Sequence, residues 1–96
     1  QQLSESTDPE LEKYPFYIRF LVKDQPGIIA AIASVLAKRG INIDAVIQES
    51  WPDPTNLPFV VTVNPTPISV MQETVAEMAK LDFNKVAPVA LPRLTD

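Results

Sequence analysis

Between Phe16 and Gln48 the apolar residues change period twice, and one of the chain's two glycines stands at each change. Phe16, Ile18, Phe20 and Val22 recur at every second position, as one face of a strand does. Ile28, Ile32, Val35 and Leu36 then recur at helical spacing, with Ile29 beside that stripe. Ile41, Ile43, Ala45 and Ile47 return to alternation. Lys38 and Arg39 fall in the last helical turn, where positive charge suits the helix dipole, and Gly40 can supply a left-handed residue just past the end. At the other end Asp24-Gln25-Pro26-Gly27 reads as a strand-to-helix turn. Asp24 is expected as the cap, with Pro26 fixing φ in the first turn.

The second half repeats the order with different punctuation. Pro58 to Asn64 is β-branched through its middle and reads as a strand. Asn64-Pro65-Thr66-Pro67 breaks it, with Thr66 expected as a cap and Pro67 as the first helical residue. Ile68, Met71, Val75, Met78 and Leu81 recur as a core-facing helical stripe. Lys85 to Leu91 is a last strand, and Pro88, which lacks a ladder donor, places it at an edge or bulge. The stretch from Ser50 to Asn56 is a loop on Pro, Asp and Asn grounds, with Trp51 covering the core's edge or meeting a neighbouring chain.

Strand, helix, strand, strand, helix, strand implies an α+β fold. This is the ferredoxin-like βαββαβ sandwich, a four-stranded antiparallel sheet with two helices on one face. The helices are expected to bury the Phe16/Ile18/Phe20, Ile43/Ile47 and Phe59/Val61/Val63 rows. The opposite face keeps Tyr17, Leu21, Val46, Val60, Val89 and Leu91, enough apolar surface to suggest a covering partner.

Composition excludes several uses of such a fold. Without cysteine or histidine there is no thiol nucleophile, no Ser–His or Cys–His pair, and no zinc or iron–sulfur site of the usual kind. Four carboxylates against Lys13 place −3 of the formal −4 in the first thirteen residues. The near-neutral remainder has no basic stripe for nucleic acid. No apolar run is long enough to span a bilayer as a helix. The first strand-to-helix loop has no arginine for phosphate, and Asp24 with Asp44 or Glu49 reads as solvated charge rather than an acid–base pair. No catalytic or metal-ligating residue is assigned. What remains is the helix start at Gly27. Unpartnered N–H groups and a glycine without a side chain can seat a small anion such as an amino-acid carboxylate, although the same residues also make an ordinary turn.

Ile18-Arg19-Phe20-Leu21-Val22-Lys23-Asp24-Gln25-Pro26-Gly27-Ile28-Ile29, followed by Ala33, Leu36 and Gly40-Ile41-Asn42-Ile43, resembles an ACT domain. Such domains are βαββαβ modules that bind amino acids and regulate metabolic enzymes. Ala45-Val46-Ile47-Gln48, Leu57-Pro58-Phe59-Val60-Val61-Thr62 and Leu81-Asp82-Phe83 resemble in addition the C-terminal domain of bacterial homoserine dehydrogenases. Acetolactate synthase small subunits and phosphoglycerate dehydrogenases share the early motif. The resemblance implies an acidic lead-in over 1–14, a regulatory domain over 15–93 and a tail over 94–96. It implies a piece of a longer cytoplasmic enzyme whose nucleotide-binding and catalytic domains, with their NAD(P), precede Gln1. It implies side-by-side pairing of two copies through first-helix and second-strand edges, with an effector, threonine first, at that interface. The family site falls on Asp24, Gln25, Pro26, Gly27, Ile28, Asn42 and Ile43: N–H groups of Gly27 and Ile28 for a carboxylate, Asn42 for amide hydrogen bonds, Asp24 for an ammonium. Some family members only dimerise, so a ligand-free pairing module stands beside the regulatory one.

Overall fold

The computed structural model describes residues 12–48 and 55–93. The lead-in up to residue 11, Trp51 with most of its loop, and the tail at 94–96 lie outside them. Six elements follow in the expected order: β1 (Lys13–Val22), α1 (Ile28–Lys38), β2 (Ile43–Gln48), β3 (Leu57–Pro67), α2 (Ile68–Met78) and β4 (Val89–Pro92). The sheet is antiparallel in the order β2-β3-β1-β4, which leaves β2 and β4 at its edges.

One core lies between the sheet and both helices. Phe16, Ile18, Phe20 and Val22 from β1 meet Phe59, Val61 and Val63 from β3, with Phe20 and Phe59 stacked at 4.9 Å between ring centroids. Ile28, Ile32, Val35 and Leu36 close it from α1, and Met71 and Met78 from α2. The stripe on α2 differs from the expected one. Thr74 is fully buried while Ile68 is exposed at the helix start. A threonine is tolerated there because its hydroxyl donates to the Val70 carbonyl one turn back, 2.6 Å away.

Both helix starts depart from the expected caps. The N-cap of α1 is Gly27, at φ 84°, and that of α2 is Pro67; neither has a side-chain cap. Asp24 lies too far upstream to cap. Thr66 remains paired with Tyr14 in the sheet, and its hydroxyl donates to the Asn64 carbonyl at 2.8 Å. β3 therefore runs on to Pro67, with a bulge between Tyr14 and Phe16, where Pro15 and Pro65 lack ladder donors. The end of α1 is as expected. Gly40, at φ 74°, donates to the Ala37 carbonyl and Ile41 to that of Leu36, a Schellman closure in which buried Ile41 packs beyond the last turn.

A second bulge changes what β2 presents. Ile43 pairs with Val63, but Ala45 pairs with Thr62 and Ile47 with Val60, so Asp44 is the extra residue. Ile43 and Val46 thus share the helix side, while Ala45 and Ile47 turn to the open face. The expected Ile43/Ile47 row is broken, and Val46 and Ile47 exchange the faces the alternation assigned them. On the open face Ile47 joins Tyr17, Leu21, Val60, Val89 and Leu91. β4 begins later than expected, at Val89 just after buried Pro88. The residues before it make only an isolated bridge between Asn84 and Val22.

Candidate functional site

β1 ends at Val22, and the turn that follows is anchored from behind. The Lys23 N–H donates to the Phe83 carbonyl, and the Lys85 N–H to that of Leu21, both at 2.8 Å. Between these, Asn84 donates from Nδ2 to the carbonyls of Met78 and Leu81 and so ties off the end of α2. Those two bonds fix the amide's orientation and leave its buried Oδ1 without a donor. The sequence reading missed this anchor, because nothing local marks residue 84 as a neighbour of residue 22.

Asp24, Gln25, Pro26 and Gly27 are all exposed. Neither Asp24 nor Gln25 makes a side-chain hydrogen bond or ion pair among the described residues. Gly27 turns the chain through a left-handed conformation, and its carbonyl accepts the Ala31 N–H at 2.9 Å as the first bond of α1. A Cβ built on Gly27 would meet no heavy atom within 4 Å, so the space beside the helix start is open. Ile28 is buried and holds the helix start on the core. The stretch therefore offers helix N–H groups at the positive end of a helix dipole and, three residues before Gly27, a carboxylate with no partner among the described residues. That combination can hold a small zwitterion.

Asn42 and Ile43 are not brought to this stretch within one chain. Asn42 lies at the start of β2, where its carbonyl accepts the Asn64 N–H at 3.0 Å, whereas Val22 pairs with Leu57 at the opposite end of β3. The seven residue-to-residue steps from Leu57 to Asn64 separate the two groups by about 23 Å along the sheet. Asn42 is exposed, with its amide uncommitted among the described residues, and Ile43 is half-buried on the helix side.

One polar cluster elsewhere has a structural role. Arg39 donates from Nε and Nη2 to Glu77 and from Nη1 to Glu73, and Lys38 donates to the other Glu77 oxygen. This cluster ties the end of α1 to α2. The hydrogen bond from Lys38, and after it those from Arg39, hold the Glu77 carboxyl below the usual carboxylate range. No group of three or more potential metal ligands occurs among the described residues, and no helix among them is long and apolar enough to cross a membrane.

The family model for the ACT domain matches residues 16–83, from the first core residue of β1 to the Phe83 carbonyl that anchors the turn. The chain belongs to the ACT domain family. By sequence this ACT domain is 31% identical over 67 residues to a homoserine dehydrogenase of Neisseria gonorrhoeae, a match covering 70% of the chain and 15% of that protein. By structure it resembles a homoserine dehydrogenase from Thiobacillus denitrificans, with TM-score 0.74 and 21% identity, over 88% of the chain and 18% of the other. It also resembles the regulatory subunit of aspartate kinase from Thermus thermophilus in a ligand-free form, with TM-score 0.60 and 25% identity, over 86% of the chain and 53% of that subunit. The match thus spans less than a fifth of either dehydrogenase. An ACT domain is a regulatory module, and this one is similar to those of homoserine dehydrogenase and aspartate kinase.

Proposed function

We propose that this ACT domain binds an amino acid, threonine first among the candidates, and regulates a cytoplasmic homoserine dehydrogenase of aspartate-family biosynthesis by feedback. The observation that carries the reading is the turn at Asp24–Gly27. It has an open space over a left-handed glycine, helix N–H groups for a carboxylate, and an Asp24 unpaired among the described residues for an ammonium. The likeness to homoserine dehydrogenases supports the choice of enzyme. The NAD(P) of such an enzyme belongs to its catalytic part, and no residue of this chain is assigned to it.

The 23 Å separation supports a site shared between two copies. β2 is an edge strand with Val46 and Ile47 exposed. If two β2 edges pair antiparallel across a two-fold axis, the Asn42 end of one meets the Gln48 end of the other. Gln48 pairs with Phe59, near the end of the sheet where Leu57 faces Val22. Asn42 of a second copy thereby approaches the turn at Asp24–Gly27. An effector in that position regulates only if it binds one arrangement of the attached domains more tightly than another.

The exposed apolar edge of β2 also favours the plainer reading, a module that pairs without a ligand. A thermal-shift series with threonine, isoleucine, serine, lysine and methionine separates the two. At about a hundred times its Kd a ligand adds about 2.7 kcal/mol, which raises the Tm of a domain this size by about 10–20 °C. Unchanged melting with every amino acid at millimolar concentration excludes effector binding by this chain. A response that survives in a Gly27→Val, Asn42→Ala double variant excludes this location for it.

A further inference from the structure

The open face of the sheet holds a concavity of about 360 Å³ that the effector reading does not use. Leu21 and Arg19 of β1, Val60 of β3, Ile47 of β2, Val89 of β4 and Val86 before it line it. Ile47, Val86 and Val89 are each more than half exposed. The wall at 86–89 is held in place by the hydrogen bond from Lys85 to the Leu21 carbonyl.

Arg19 is the one ionisable residue in that lining among the described residues. It sits on a central strand between Val60 and Val89, its cross-strand neighbours on the same face. The other two arginines are engaged, Arg39 with Glu73 and Glu77, and Arg93 over the Tyr17 ring. Arg19 has no hydrogen-bond or ion-pair partner among the described residues. A guanidinium in apolar company binds a carboxylate with two parallel hydrogen bonds, and the valines, Leu21 and Ile47 offer burial to an aliphatic stem. Among the described residues the lining contains no carboxylate. The ammonium of an amino acid would lose water there and find no partner.

We infer that the concavity around Arg19 is a second binding site, for a small aliphatic carboxylate that lacks an amino group. It is separate from the turn at Asp24–Gly27 and stands whether or not that turn binds an effector. The chemistry points to short branched carboxylic and 2-oxo acids rather than to amino acids.

The test is an amide ¹H–¹⁵N titration of this chain with sodium 4-methylpentanoate, its neutral amide 4-methylpentanamide, and leucine. The acid should shift the amides of Leu21, Val60, Val86 and Val89 saturably, and bind about ten-fold or more tighter than the neutral amide or leucine. Arg19→Gln should bring the acid down to the level of the amide, and Arg19→Lys should restore part of the preference. Arg19 is exposed, so both variants should keep dispersed spectra. Equal binding of acid and amide, an Arg19→Gln variant that still prefers the acid, no shifts at millimolar acid, or shifts confined to residues 24–28 would each overturn the assignment.

Discussion

Gly27 and Gly40 form a matched pair through which the role of the first turn can be tested. Both hold positive φ, at 84° and 74°, and at neither would an added Cβ meet a heavy atom within 4 Å. Alanine at either position therefore has no steric clash to relieve. The left-handed backbone costs an L-residue about 1–2 kcal/mol, and the stiffer unfolded chain returns a few tenths of that. Each variant should lose about 1 kcal/mol, a fall in Tm of about 4–8 °C. The two sites bracket α1 and share no partner, so the double variant should lose about 2 kcal/mol. Thermal and urea unfolding followed by circular dichroism measures all three. The variants should part company when an amino acid is added: Gly40→Ala keeps the stabilisation, and Gly27→Ala loses it because its methyl occupies the open space. A loss above about 3 kcal/mol from either alanine would mean contacts that the geometry does not contain. A ligand response abolished equally by both would mean that the effect runs through the stability of α1 and not through the turn.

Other perturbations probe the supports around the site. Glu77 is held deprotonated by Lys38 and Arg39, so its contribution to stability is present above the ordinary carboxylate pKa and fades as pH falls through its own lower value. The Tm difference between the parent chain and Glu77→Gln should accordingly shrink below about pH 4, and a constant difference from neutral pH to pH 3 would contradict the ion cluster. Asn84→Ala removes two hydrogen bonds to the end of α2 but also an unpartnered Oδ1, for a net loss of about 1 kcal/mol in urea unfolding. Amide exchange should quicken at Lys23 and Lys85 in that variant before it does in the centre of β1. Ile47→Lys places a charge on the β2 edge. It should leave the stability of the single chain within about 0.5 kcal/mol while lowering the mass seen by light scattering from that of a pair to that of one chain.

How much of this could be read beforehand depended on how local each determinant was. The course of α1 was legible because its ends are written in residues that have few other uses, Gly27 before it and Lys38-Arg39-Gly40 after it. The facing rows of β1 and β3 were legible because alternation survives wherever pairing is regular. The bulge at Asp44 left no such trace. An extra residue is specified by what lies across the ladder, so the Ile41-to-Ile47 row looked continuous and placed Val46 and Ile47 on each other's faces. The caps failed for a related reason. Asp24 and Thr66 have the right chemistry, but tertiary pairing of Thr66 with Tyr14, and the reach of the turn after Asp24, put other residues at the helix starts. The site showed the same division. Asp24 to Ile28 are adjacent in the chain and remained together, whereas the distance of Asn42 from them is set by the register of three strands.

That register has a consequence for how such a sensor responds to its own abundance. The turn lies at one end of the sheet and Asn42 at the other, so on the proposed reading a lone chain carries two separated halves of one receptor. On the proposed reading, association and sensing are then one equilibrium. Effector tightens the pair, the pair tightens effector, and dilution weakens both together. On that reading a cell sets the threshold of the response partly through how much of the protein it makes.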